Sequence, residues 1–317
     1  MKAELLTATL LTAFSGVLQA ADPQLLNLVM PDAKVLAGVN VQQAKGTPFG
    51  QFVLNQIQTH DADMQKLIDL TGFDPRRDVS EVLLASVASA QSKTGLALAR
   101  GNFDAAKIVT AAKAAAGDKL ATETYAGVTI IEDAQGTHGI AFLDSTTVAA
   151  GDLASVKGAI DRRTNPQPLP ASLTVEINQW SNAQDAWGIS AVPPASLAPA
   201  QATPKQNPLS GVALNVQQAF GGVKFGNNVV FSGQAVCDTA QNAATMADLI
   251  KFMLNLAQMQ AAQNPQAQTL LKSATVAASG TAVNISASLP EDVFIQMLQS
   301  GHDAAGAHAV APQLRKK

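Results

Sequence analysis

VSEVLLASVASAQSKTGLALARGNFDAAKIVTAAKAAAG (79–117) decides the fold class. Residues 79–87 are rich in Val and Leu, as in a half-buried strand. Lys93-Thr94-Gly95 marks a tight turn, and GLALARG (95–101) pairs back as a hairpin. Asn102 or Asp104 caps a helix that Gly117 ends. The pattern then recurs. Strands are expected at about 120–132 and 138–149, turning at Gln135-Gly136, and Asp152 caps a helix running to Arg162. The order strand, strand, helix, strand, strand, helix packs as an antiparallel sheet with helices on one face, an α+β fold.

Upstream, AKVLAGVNV (33–41) follows Pro31-Asp32 and reads as a buried strand. Thr47-Pro48 starts a helix to about Gln58, and a second short helix over 61–70 ends at Gly72. Pro75 in FDPRRD then presets a turn. Downstream, TNPQPLP (164–170) holds three prolines and resets chain direction, so 164–184 is taken as a linker. VPPASLAPAQATPKQNP (192–208) is expected to be an extended loop. The second half echoes the first. DAWGISAV resembles DAKVLAGV, GVALNVQQ (211–218) takes the place of the 79–87 strand, and 221–237 supplies its hairpin partner. A long helix over 239–262, two strands within 273–289 and a helix from Pro290 to about Gln299 complete the order. The expectation is two similar lobes, 21–163 and 185–300, made by internal duplication, with a disordered tail over 301–317.

The chain opens MKAELLTATLLTAFSGVLQAAD (1–22). A positive Lys2, an apolar run and a small Ala20 have the layout of a signal peptide over 1–20, against the alternative of a buried helix. Glu4 weakens the positive region, and Leu18 stands where a smaller residue is preferred. The expected location is periplasmic or extracellular, and no later run is long enough to span a bilayer. Charged residues are only 14% and formal net charge is −3, so a phosphate backbone finds no attracting field and nucleic-acid binding is unexpected. The single cysteine, Cys237, leaves stability to burial. It reads as a small buried hydrophobe before a helix. The rival reading, a thiol activated by the helix N-terminus, is opposed by the neighbouring anion Asp238.

No catalytic motif stands out. His60, His138, His302 and His308 lack zinc spacing, and no HExxH, CxxC or G-x-S-x-G occurs, so no metal or cofactor is expected. The glycines of 219–228 fit a bend or bulge. Arg76 and Arg77 form the sharpest charged cluster, either binding an anion or partner or pairing locally with Asp74 and Asp78. Glu132 and Asp133 are adjacent and point to opposite strand faces. Met246, Ile250 and Met253 lie on the wide apolar side of the 239–262 helix, which either binds a partner or lipid or packs on its own sheet.

The phrases PDAKVLAGVNVQQAKGTPFGQFVL, GFDPRRDVSEVLLAS and ARGNFDAAKIVTA…YAGVTIIED resemble a family of uncharacterised exported bacterial proteins, a domain of unknown function found especially in acidobacteria-like lineages. The resemblance covers about 30–160 well and the second half in outline. It implies a bacterial envelope location and carries no catalytic residues.

The reading is therefore an exported, soluble envelope protein of unknown role, a non-enzymatic binding or structural and interaction protein whose partner is an unknown protein or apolar ligand, with oligomerisation open. The first alternative is a hydrolase-type enzyme whose site is assembled from distant residues such as Arg76, Arg77, Glu132, Asp133 and His138. The second is a lipid carrier, which needs a large apolar cavity between sheet and helices.

Overall fold

The computed structural model describes residues 21–60, 62–87, 94–116, 120–193, 215–261 and 264–299. The expected signal peptide, the tail, and most of the 192–208 loop lie outside these residues. The first half contains α1 (Pro23–Leu26), β1 (Val35–Asn40), α2 (Val41–Ala44), α3 (Pro48–His60), α4 (Ala62–Thr71), α5 (Pro75–Asp78), β2 (Val79–Ser86) and β3 (Gly95–Gly101). It continues through α6 (Ala105–Ala116), β4 (Leu120–Tyr125), β5 (Val128–Asp133), β6 (His138–Phe142), β7 (Thr147–Asp152) and α7 (Leu153–Arg162). Then come α8 (Ala171–Ala183), β8 (Ala186–Ser190), β9 (Val216–Lys224), β10 (Asn228–Cys237), α9 (Ala240–Gln260), α10 (Pro265–Ser273), β11 (Thr275–Ser279) and β12 (Ala282–Pro290). A last helix, α11, spans 291–299.

The fold is α+β, with its strands in one twelve-stranded antiparallel sheet ordered β11-β12-β10-β9-β8-β1-β2-β3-β7-β6-β5-β4. The two expected sheets are thus one. β1 pairs β2 on one side and β8 on the other, Val39 lying opposite both Val82 and Ala186. In the second half β12 pairs β10 directly, whereas β6 and β7 stand between β5 and β3.

Strand alternation separates two faces. On one, Trp187, Gly38, Leu83, Leu98, Ala149, Ala141 and Ile130 are successive cross-strand neighbours. This buried row packs with Leu25 of α1, Val156 and Ile160 of α7, and Leu173, Ile177 and Trp180 of α8. Gly38 has to be small, because a Cβ there would sit 2.6 Å from the Trp187 indole. Helices are not confined to this face. Ala243, Met246 and Ala247 of α9 join Ala219, Ala235, Val283 and Ile285 in a second cluster. Ala235, Ala219, Ser190 and Val35 are cross-strand neighbours, out of phase with the buried row, so α9 covers the opposite face.

That opposite face is apolar yet open over the middle of the sheet. Phe231, Val223, Ala186, Val39, Val82, Ala99, Val148 and Phe142 form a continuous cross-strand row through eight strands. In and beside it, Val39 and Leu84 are 37% and 50% exposed.

Two segments differ from the sequence reading. Most of 164–184 is α8, which buries Leu173, Ile177, Trp180 and Ser181. The prolines end at Pro170, in the N-cap position, and leave an apolar helical stripe behind them. The second-half hairpin turns at 225–227, with Gly221 and Gly222 inside β9. Gly222 lies under Gln184, whose side chain would be 2.4 Å from a Cβ at that position.

Candidate functional site

Asp74 caps α5 by accepting a hydrogen bond from the Arg76 backbone N–H (3.0 Å). The Arg76 guanidinium closes on the same carboxylate through Nε (2.7 Å) and Nη2 (2.6 Å). These bonds hold the Asp74 carboxyl below its usual range. Arg77 forks onto Asp78 with two 2.7 Å bonds and donates to the Gly72 carbonyl. Both arginines named by the sequence are therefore engaged locally, and they fasten the turn that launches β2.

Beside this turn, α2 and α3 stand over the open sheet face and enclose an apolar groove of about 560 Å³. Its floor is Val39, Val82 and Ala186, and its walls include Val53 and Leu54 of α3, with Phe49 stacked on Phe225 at 4.7 Å. This is ligand-pocket size, which runs from about 300 to 1,000 Å³. Among the described residues, Lys45 and Arg76 are the cations that line it. Lys45 donates to the carbonyls of Val79 (2.6 Å) and Arg77 (3.2 Å). Burial pushes its ammonium down, with Asp78 and Asp74 pulling the other way. Lys45 and Arg76 thus both have protein partners, and the groove offers a ligand little beyond hydrocarbon.

The α9 candidates are core or half-buried. Met246 is buried against its own sheet, Ile250 packs at the edge of that cluster, and Met253 is half-buried. The exposed apolar positions of this helix are Phe252, Leu256 and Met259, a stripe on the side away from the sheet.

The five residues of the enzyme alternative do not converge. Arg76 and Arg77 precede β2, whereas Glu132 and Asp133 end β5, four strand spacings or about 19 Å across the sheet. Asp133 folds the β5–β6 turn, accepting from the Thr137 backbone N–H and hydroxyl (2.7 Å each) and from the His138 N–H (3.2 Å). These bonds, Thr137's first, bring its carboxyl to about 2. His138 Nδ1 lies 3.4 Å from the same carboxylate. Glu132 instead shares a hydrogen bond with Glu123, which raises its pKa, and Glu123 pairs with Lys157 at 2.6 Å.

Cys237 is 3% exposed, and burial, then Asp238, pushes its thiol up. Thr239 caps α9 through the Asn242 N–H. Among the described residues no group of three or more His, Cys, Asp or Glu is placed to hold a metal ion. No described helix is long and apolar enough to cross a membrane.

The groove residues Val39, Val82 and Phe225 were not singled out from sequence. The available signal was the apolar character of the outward positions of β1 and β2, where a solvated face would alternate to polar.

No protein-family model matches the chain, and no curated protein matches it. Among solved structures it is similar to that of TP0453 in crystal form I, with a TM-score of 0.51 and 13% identity over 87% of this chain and 96% of that one. At that identity the likeness is one of fold.

Proposed function

We propose that this is an exported, non-enzymatic binding protein of the bacterial envelope, and that its ligand is an uncharged apolar molecule seated in the groove under α3. The observation that carries the reading is the apolar cavity of about 560 Å³ whose flanking cations, Lys45 and Arg76, already have protein partners. A charged head group would have to displace those partners, whereas a hydrocarbon gains the burial that Val39, Val82 and Val53 lack. Export rests on the layout of residues 1–20 and on the resemblance to exported proteins. Internal duplication is supported by the shared order of β1, β2, β3, α6, β4, β5 and β8, β9, β10, α9, β11, β12.

The test is titration with N-phenyl-1-naphthylamine, an uncharged fluorophore that brightens in apolar surroundings. Saturable brightening of the wild type, lost in Val53→Asp with an unchanged circular dichroism spectrum, is expected. Val53 is 37% exposed at the rim, so the substitution puts a charge in the groove without burying it in the core. A wild type that gives no saturable signal overturns the reading.

A further inference from the structure

A second cavity, of about 240 Å³, lies among α1, the β6–β7 connection and the chain leaving α7. Its lining is mixed: Leu28, Leu143 and Pro166 contribute hydrocarbon, and Gln24, Asn27, Asp144, Thr147, Arg162 and Arg163 contribute polar groups. Arg162 is only 8% exposed, and no carboxylate among the described residues pairs with it. Its Nε donates to the Leu28 carbonyl at 2.9 Å, and its buried Nη2 has no partner. Gly158 makes room for the guanidinium, since a Cβ there would lie 3.0 Å from Nη1. This bond pegs the segment after α1 to α7 with one of the five N–H donors, and no direct ion pair among the described residues meets the guanidinium. Burial pushes the Arg162 pKa down, with Asp161 and Asp32 pulling it back.

Neighbouring groups narrow the occupant. The Gln24 oxygen is taken by Arg100 (2.8 Å), leaving its amide nitrogen to donate. Arg163 is exposed and adds a second positive charge. The carboxylate of Asp144, another lining residue, accepts from the Thr146 N–H and hydroxyl through Oδ1 (2.7 Å each), and neither bond uses its Oδ2. That negative charge opposes a doubly charged phosphate and suits a singly charged ligand that also carries a hydroxyl.

We infer that this cavity binds a small hydroxylated carboxylate, with Arg162 and Arg163 receiving the carboxylate and Asp144 accepting from the hydroxyl. The site is separate from the apolar groove and does not depend on it.

The test is NMR titration of the full chain with glycolate, with inorganic phosphate and sodium chloride at matched ionic strength as parallel arms. Saturable shifts in the backbone amides of 143–147 and 162–163 are expected with glycolate. Arg163→Ala, at an exposed position, weakens them roughly tenfold, and Arg162→Met abolishes them, as loss of charge-assisted hydrogen bonds requires. If Arg162→Met does not fold, Arg163→Ala and Arg162→Lys decide. No saturable shift with glycolate, or shifts that both foldable variants leave unchanged, overturns the site. Tighter binding of phosphate than of glycolate overturns the carboxylate assignment, and equal shifts with chloride reduce the effect to general ionic screening.

Discussion

The Glu291 carboxylate accepts a hydrogen bond from the backbone N–H of Phe49 at 2.8 Å, joining residues 242 positions apart. Glu291 is 4% exposed and opens α11, while Phe49 lies in the first turn of α3 and walls the apolar groove. The contact satisfies one of the free amides at the α3 N-terminus and places negative charge at the positive end of that helix. Phe294, one turn further along α11, reinforces it by packing on Phe49 at 5.1 Å.

Glu291→Ala should therefore destabilise by about 2 kcal/mol, the cost of stranding a backbone donor and losing a charge-assisted bond. Urea denaturation measures this directly. The same variant should weaken fluorophore binding, because α3 loses an anchor beside the groove.

Gly38→Ala places a methyl group into the Trp187 indole. Overpacking of this kind costs about 1–3 kcal/mol. The expected signs are a lower urea midpoint and a change in tryptophan emission, since Trp187 is one of two tryptophans.

Asp133 gives a pH signature. Its folded pKa of about 2 lies below the ordinary 3.8. The stabilisation it supplies is present above pH 3.8 and is lost as pH falls through about 2. Asp133→Asn should be less stable than the wild type at pH 6, and the difference should vanish near the lower value. Urea midpoints of the pair at both pH values test the sign.

Cys237 should be inert. A thiol that is 3% exposed and raised in pKa offers little thiolate to a reagent. Native protein at pH 8 should not react with Ellman's reagent, and one equivalent should appear after denaturation.

Much of the fold was legible because its strands carry strong local patterns. The pairing of β2 with β3 follows from their apolar residues, while most of the segment joining them, with Lys93 of the expected turn, lies outside the described residues. α8 was hidden because three prolines dominate the segment before it, and its stripe of Leu173, Ile177 and Trp180 shows only when the run is read as a helix. The single sheet was hidden for another reason. Pairing of β1 with β8 is a long-range choice, and alternation in Val35–Asn40 fits an edge strand as well as a central one.

The candidate site was less legible still. Arg76 does line the groove, but a charge run does not reveal that Asp74 already occupies it. Met246 stands at helical spacing whether its helix covers a sheet or awaits a partner. Val39 and Val82 show from sequence that one strand face is apolar, but whether a helix covers that face is set by segments far along the chain.

The placement of β1 also bears on how the molecule is made. Its first neighbour, β2, follows after four helices, but its second, β8, begins only at Ala186. Until that residue is available, a nascent chain holding β1 to β7 presents the β1 edge, Val35 to Asn40, with unpaired amides and carbonyls in the middle of what becomes a continuous sheet. Such non-local closure slows folding and prolongs exposure of a sticky edge. A chain truncated before β8 should therefore associate through this edge, making the arrival of residues 186–190 the step that turns an aggregation-prone half into a finished molecule.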